Sequence, residues 1–436
     1  MEKLTALFRL GIKYLHRYRR RYGFLMAALV FGFAVVTFIT SLKDGMYDSV
    51  YYSAQSHYAG DIVAVGHDSA TNKINHLGVK EISAVLEAAE EAGVNPVKTV
   101  FRTIFGERGV VYFNGNAVMQ KYVVGCDWDE EAHLFSMMDF SAPPEQPFED
   151  DSIVLSEPVA HKLGAVIGDS VILEVETRRR QKNTGVFIVR GIVRDSSIFG
   201  YYKVYVSRVT LNRLLVFRDD DCSTVGFFLD NPAAAGQKRI AFHKILSEKM
   251  ETGPLVYDRD EMSLETAKPW RGIRVFLYTM PVFLSEISEL LGAMNIVTYF
   301  LYGMMLLIIF VSAAVTYRLI LHERAKEMGV MRAIGFYGGD LRLVLWTEVV
   351  AMGLMSLLAG FFLAWFLSWA VSSVSFSWFP SFEIFMKKGK LSALYLPKTI
   401  LTNVMLIFLA LTAAVFFPSF RASRKHLPAL LSGEPL

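Results

Sequence analysis

The sequence predicts an α-helical membrane protein with four transmembrane helices and a large extracytoplasmic α+β domain of two subdomains. Three observations predict it. Four uncharged apolar runs, Phe24–Leu42, Leu290–Tyr317, Val349–Trp378 and Thr399–Phe417, each approach or exceed the ~20 residues that cross a hydrocarbon core. Between the first and second runs, Lys43 to Gly272 has ordinary soluble composition. Lys and Arg cluster just before the first run and just after the last, which places both termini in the cytoplasm.

The whole-chain figures agree with a mixed architecture. The 436 residues are 53% hydrophobic and 20% charged, with a mean hydropathy of +0.34. A soluble chain averages about 45–50% and about 25%, so the excess fits a few spans plus a sizeable water-soluble part. A net charge of +3 is too small to argue for a nucleic-acid partner. The two cysteines, Cys126 and Cys222, stand outside any CxxC spacing. Two readings stay open for them: one bridge in an oxidising compartment, or two buried free thiols.

Taken in order, Glu2–Arg21 puts Leu4, Leu7, Phe8, Ile12 and Leu15 on one helical face and mostly basic residues on the other. That pattern predicts a helix lying in the membrane interface. Phe24–Leu42 is longer than a signal-peptide core and is read as a retained anchor. In the outer part, 61–66, 97–105, 110–113 and 119–125 read as strands, and Val79–Ala92 as an amphipathic helix ended by Gly93. After the break Ser141–Pro147 come strand 152–155, helix 157–163, and a hairpin of 170–176 and 186–193 around the tip 178–185. Strand 204–206, helix 208–216, strand 223–229 and helix 233–250 follow.

From Pro281 to Ile320 no further proline occurs, and some 40 helical residues span roughly 60 Å, twice the bilayer core. Its first turns, with Glu286 and Glu289, project as a stalk. The third run carries the small residues Gly353, Ser356 and Gly360, which permit close helix approach in lipid. Glu348 stands at its cytoplasmic end, where it is expected to snorkel and pair with Arg342 or Arg332, the alternative being a dedicated signalling role. The division is then 1–22 interfacial helix, 23–43 first span, 44–272 outer domain and 273–320 stalk and second span. It continues with 321–342 cytoplasmic segment, 343–378 third span, 379–398 external loop, 399–418 fourth span and 419–436 tail. The external loop is rich in lysine (Lys387, Lys388, Lys390, Lys398), against the charge rule, but the other segments outweigh it.

Tyr317–Val350 is the long polar interruption between two apolar runs. Met328, Met331, Ile334 and Phe336 recur at roughly helical spacing among its charges, which predicts a short amphipathic helix. Gly335 and the pair Gly338–Gly339 are expected to end it and turn the chain back. No GxxxxGK[ST], HExxH or GxSxG occurs, the nine histidines form no ligand motif, and the spans lack a chain of ionisable residues. A membrane-bound enzyme has no supporting site. The chain shows no energy source of its own, yet it is built to couple two sides of a membrane.

The residues Glu323–Gly335 (ERAKEMGVMRAIG), followed by Glu348, resemble the segment between the second and third spans of MacB/LolC/LolE/FtsX-type ABC-transporter permeases. Residues 152–173 (SIVLSEPVAHKLGAVIGDSVIL) and the ending 417–435 resemble the same family, as does the order of one span, an outer domain and three spans. The resemblance implies a coupling helix that docks on an ATPase, with Glu323, Lys326, Glu327, Gly329, Arg332, Ala333, Gly335 and Glu348 as the coupling residues. It implies a MacB-like periplasmic core at 44–272 and location in the bacterial inner membrane. No catalytic, cofactor or metal site is expected in this chain; ATP and Mg are expected on a partner ATPase subunit. Further expected partners are a second permease copy or paralogue, membrane lipids, lipoprotein cargo and a periplasmic carrier or adaptor. The layout is closest to the lipoprotein-releasing LolC/LolE group. MacB-like efflux of a drug or peptide, and FtsX-like regulation of a cell-wall enzyme, are the alternatives. MacB itself carries a fused ATPase that this chain lacks, and the tip 178–185 is short for the partner-binding loop of the LolC group.

Overall fold

The first apolar run continues as helix well past the end of its hydrophobic stretch. The computed structural model describes residues 19–68, 75–194, 202–376, 380–387 and 389–424. Over these, helix α1 extends from Arg19 to His57. Its last turns are tied down by Asp61, a fully buried carboxylate. Asp61 accepts the Tyr51 hydroxyl at 2.7 Å, the Gln55 amide at 2.9 Å and the Leu229 N–H at 2.8 Å. The expected interfacial helix up to Tyr18 and the tail from 425 onward lie outside the described residues.

The chain divides into two compact units, Met1–Tyr47 with Leu291–Ser375 and Leu391–Leu436, and Asp48–Leu290 with Phe376–Lys390. In the second unit β1 (Ile62–Asp68), an apolar run, is buried on both faces over most of its length. Helix α2 (Val79–Glu91) covers it with Val85, Ala88 and Ala89 turned inward. Next come β2 (Lys98–Phe113), β3 (Asn116–Cys126), α3 (Ala132–Met137), β4 (Phe140–Ala142), β5 (Ser152–Ser156) and α4 (Glu157–Leu163). Then follow β6 (Ser170–Glu176), β7 (Lys182–Val193), β8 (Lys203–Ser207), α5 (Arg208–Leu215), β9 (Thr224–Phe228), α6 (Ala235–Lys249), α7 (Arg259–Ala267) and β10 (Ile273–Thr279). Gly164 takes the left-handed conformation (φ 71°) that ends α4 and lets the Ala165 N–H reach the Ala160 carbonyl.

These strands form a sheet ordered β10-β1-β9-β2-β3-β8-β5-β7-β4, with β6 pairing β2 and β7. Antiparallel β1 and β10 pair from Ile62↔Thr279 to Asp68↔Ile273. The strand that leaves α1 therefore lies beside the strand that feeds the next long helix. Among the described residues, apolar clusters form against the sheet. One gathers Phe105, Ile153, Leu173, Phe187, Val204 and Leu211; another gathers Ile62, Val85, Phe227, Phe242 and Leu277; a smaller one gathers Val124, Leu134, Phe135 and Tyr205.

Two local expectations change. The strands read at 97–105 and 110–113 are one strand, β2, because Gly106–Gly109 is a bulge in its pairing with β3 rather than a break. The hairpin tip shrinks to the five residues 177–181, because β7 begins at Lys182, pairs Glu176↔Lys182 and adds the Lys182–Glu174 ion pair. Cys126 and Cys222 are both buried free thiols. Burial pushes Cys222 up to about 12 and Cys126 well above the usual thiol range, so both stay protonated.

In the first unit the helices pack on one another. Among the described residues, four helical stretches are long and apolar enough to cross a membrane: Tyr22–His57, Ile287–Glu323, Gly338–Ser372 and Pro397–Phe420. They belong to α1, α8 (Met280–Glu323), α10 (Gly338–Ser372) and α11 (Pro397–Arg424); α9 (Ala325–Ala333) lies between α8 and α10. Tyr22, Leu25, Leu29, Phe33 and Val36 form the inward stripe of α1 at three- and four-residue spacing. It meets Ile309, Ala313 and Tyr317 of α8, Leu345, Val349 and Met352 of α10, and Ile407 and Leu411 of α11 in one apolar cluster. A Cβ on Gly360 would lie 2.8 Å from the Val30 carbonyl oxygen, and one on Gly353 3.1 Å from Leu411. The small residues noted in the sequence thus sit where α10 approaches α1 and α11.

Candidate functional site: a pinned corner between two long helices

One residue, Arg324, separates the 44-residue helix α8 from α9. Its backbone (φ −93°, ψ 5°) leaves the helical range just enough to turn the chain. The end of α9 is equally definite. Gly335 has φ +100°, which only glycine adopts without strain, and the Phe336 N–H bonds the Met331 carbonyl at 3.1 Å. Gly338 and Gly339, expected to help end this helix, open α10 instead. The Asp340 carboxylate accepts the Tyr337 N–H at 3.3 Å at that N-terminus.

The faces of α9 follow from its sequence. Ala325, Met328, Gly329 and Met331 turn inward, with the two methionines in the apolar cluster and Phe336 packed partly against it. Lys326, Val330 and Ala333 turn outward. Ile334 departs from the expected apolar face: it caps α9, where Gly335 swings the chain away, and is 73% exposed.

The eight coupling residues expected from the resemblance do not share one surface. Glu323, Lys326, Ala333 and Gly335 are exposed, and Glu327 and Arg332 are half-buried. Gly329 lies inside, where α9 packs. Glu348 is 0% exposed and pairs with neither Arg342 nor Arg332. Its partner is Arg324, 1% exposed: Nη1 reaches Oε2 at 2.7 Å and Nη2 reaches Oε1 at 3.2 Å. The Tyr22 hydroxyl donates to Glu348 Oε2 at 2.6 Å and accepts from Arg324 Nη1 at 3.1 Å. Arg324 Nε also lies 3.6 Å from Glu327 Oε2. Snorkelling fails as the account of Glu348 because the carboxylate points into the bundle, where only a buried cation can compensate its lost hydration.

Arg324 and Tyr22 are the residues that sequence reasoning leaves out of the site. The signal is partial: a lone glutamate in the apolar run LWTEVVAM demands a cation, but several basic residues compete for it. Only the packing of α8 against α10 selects Arg324. Among the described residues no group of three or more His, Cys, Asp or Glu side chains converges as a metal site.

Two family models match the sequence. The MacB-like periplasmic core domain matches residues 23–237, and the FtsX-like permease C-terminal domain matches residues 299–427. No curated protein matches it. Among solved structures, the chain is similar to the periplasmic region of MacB from Actinobacillus actinomycetemcomitans, at 12% identity over 53% of this chain and 94% of that one, with a TM-score of 0.29. It is also similar to a domain of a permease protein from Porphyromonas gingivalis, at 12% identity over 52% and 90%, with a TM-score of 0.26. Likenesses this distant carry no argument. The two family models do: one covers the first span and most of the outer sheet, the other the pinned corner and the spans around it. The chain belongs to the ABC-transporter permeases of the MacB, LolC and FtsX type.

Proposed function

We propose that this chain is the permease subunit of an ABC complex of two permeases and two ATPase subunits in the bacterial inner membrane. ATP and Mg bind the ATPase chains. Their closure moves α9, and the permease passes that motion to its outer domain, which releases lipoproteins from the membrane. The observation that carries this reading is a short helix with an outward face of Lys326, Val330 and Ala333, set between two apolar helices of a chain without a phosphate-binding loop. Such a helix is a surface for a motor to push. The outer face of α9, with Glu323, Glu327 and Arg332 on its rim, is where the ATPase docks.

Co-purification tests it. The solubilised chain is expected to bring down an ATPase subunit and to stimulate its hydrolysis. The double variant Glu327→Lys with Arg332→Glu reverses the sign at two positions of the rim and leaves its net charge unchanged. It is expected to lower stimulated hydrolysis roughly tenfold, the loss of ~1.4 kcal/mol of interaction, with the outer domain still folded. Absence of a bound ATPase overturns the proposal. Depletion of the chain is expected to mislocalise lipoproteins; a cell-wall defect with correctly placed lipoproteins overturns the choice of cargo.

A further inference from the structure

Resting on that reading, we propose that Arg324 is the positioning residue of coupling: pinned by Glu348 and Tyr22, it makes α1, α8, α9 and α10 move as one body. The corner is a single residue long, and every element that meets there is tied to the same guanidinium. Arg324 is covalently continuous with α8 and α9. Its fork grips both carboxylate oxygens of Glu348 on α10, at 2.7 and 3.2 Å, and its Nη1 reaches the Tyr22 hydroxyl of α1 at 3.1 Å. Tyr22 closes the triangle on Glu348 at 2.6 Å.

A buried ion pair adds little net stability over apolar packing of the same shape, but a two-pronged arginine–carboxylate contact fixes direction as well as distance. Fixed direction matters at this place. A push on Lys326, Val330 and Ala333 acts on a short helix attached at one end through one non-helical residue. Without the pin, α9 pivots about Arg324 and the push is dissipated at the corner. With it, rotation of α9 must carry α1 and α10 along. The backbone bonds that cross the corner, from the Arg324 N–H to the Ile320 carbonyl and from the Met328 N–H to the Arg324 carbonyl, report directly on whether it pivots.

The test compares the full permease–ATPase complex in nanodiscs with its Glu348→Gln variant, which keeps shape and removes the charge. In the variant, the ATPase is expected to co-purify as in the parent while permease-stimulated hydrolysis falls about tenfold. Removing the Glu348 charge leaves Arg324 buried without its partner, so hydrogen exchange at 322–328 is expected to exceed the parent's without nucleotide and to rise at least a further tenfold during ATP turnover. Arg324→Lys keeps the charge but loses the fork, so an intermediate effect is expected. Tyr22→Phe keeps the packing, and shows the same nucleotide-dependent exchange in smaller measure if Glu348→Gln does not fold. Exchange raised equally with and without ATP makes the triad a structural brace only and overturns the proposal; unchanged exchange and hydrolysis overturn it as well. A parent chain that binds no ATPase overturns the proposed function itself, an outcome distinct from a coupled parent with an indifferent variant.

Discussion

Two guanidiniums buried among the described residues, Arg102 and Arg324, each fasten chain segments that are distant in sequence. Arg102 in β2 is fully buried and pairs with Glu131, its Nη2 reaching Oε2 at 2.8 Å, while its Nη1 donates to the His57 carbonyl at 3.2 Å. The guanidinium so placed satisfies a backbone carbonyl at the C-terminus of α1, where a cation also suits the helix dipole. Arg102→Met leaves the Glu131 carboxylate buried without its cation, and the chain in detergent should lose about 3–5 kcal/mol of stability in chemical denaturation. Arg102→Met with Glu131→Leu should recover most of that loss, since the cost lies in the orphaned charge. His67 in β1 gives a pH-dependent counterpart. It lies half-buried, edge-on to Phe276 and 3.2 Å from the Tyr278 hydroxyl, and burial lowers its pKa to about 4 from 6.5. Above pH 6.5 both folded and unfolded chains keep it neutral. Between 6.5 and 4 only the unfolded chain takes up the proton, so stability falls as pH falls, by up to about 3 kcal/mol. His67→Gln should remove that step from the difference between parent and variant unfolding curves recorded from pH 7 to 4.

At the scale of elements, the helices are held together by what is missing from them. A Cβ at Gly360 would fall 2.8 Å from the Val30 carbonyl oxygen and 3.0 Å from Phe33, and backbone cannot step aside as a flexible side chain can. Gly360→Ala should therefore destabilise the chain by about 1–3 kcal/mol through overpacking, despite the roughly 1 kcal/mol that alanine gains over glycine in a helix. At Gly303 in α8 a Cβ would meet nothing within 4 Å, so Gly303→Ala should shift the thermal midpoint upward. Opposite signs from one chemical change isolate the close approach of α10 to α1. The approach is legible in the sequence as a spacing of small residues; its partner is not. The same limit recurs elsewhere. Helix α4 and strand β6 match their expected bounds because turn chemistry and alternation agree there. The bulge at Gly106–Gly109 is misread because glycine signals a break and a bulge alike. Outward-turned Ile334 is misread because periodicity assumes that the helix continues, and Gly335 ends it. The inward turn of Arg324 and Glu348 depends on which helices pack together, and no local pattern carries that information.

For the whole molecule, the question is what joins the two units along the chain. Helix α8 contributes Met280–Leu290 to one and Leu291–Glu323 to the other without interruption, and α1 likewise runs through Tyr47 and Asp48. If α8 conveys motion from the corner at Arg324, the junction must stay helical. Gly292 stands beside it, with nothing within 4 Å of a Cβ there, so its substitution changes the backbone alone. Gly292→Pro removes the N–H that serves the Ser288 carbonyl and forces the ring against that carbonyl, a cost of ~3 kcal/mol relieved by kinking. Gly292→Ala stiffens the same point by about 1 kcal/mol. Hydrogen exchange in β10 and Met280–Leu290, with and without ATP in the ATPase-bound complex, is the measurement. The alanine variant should keep the nucleotide-dependent change of the parent. The proline variant should lose it, with ATPase binding and hydrolysis retained, because the kink lies far along α8 from α9. A proline variant that still answers to nucleotide would assign the transmission to α1, whose last turns are fixed through Asp61 to the end of β9.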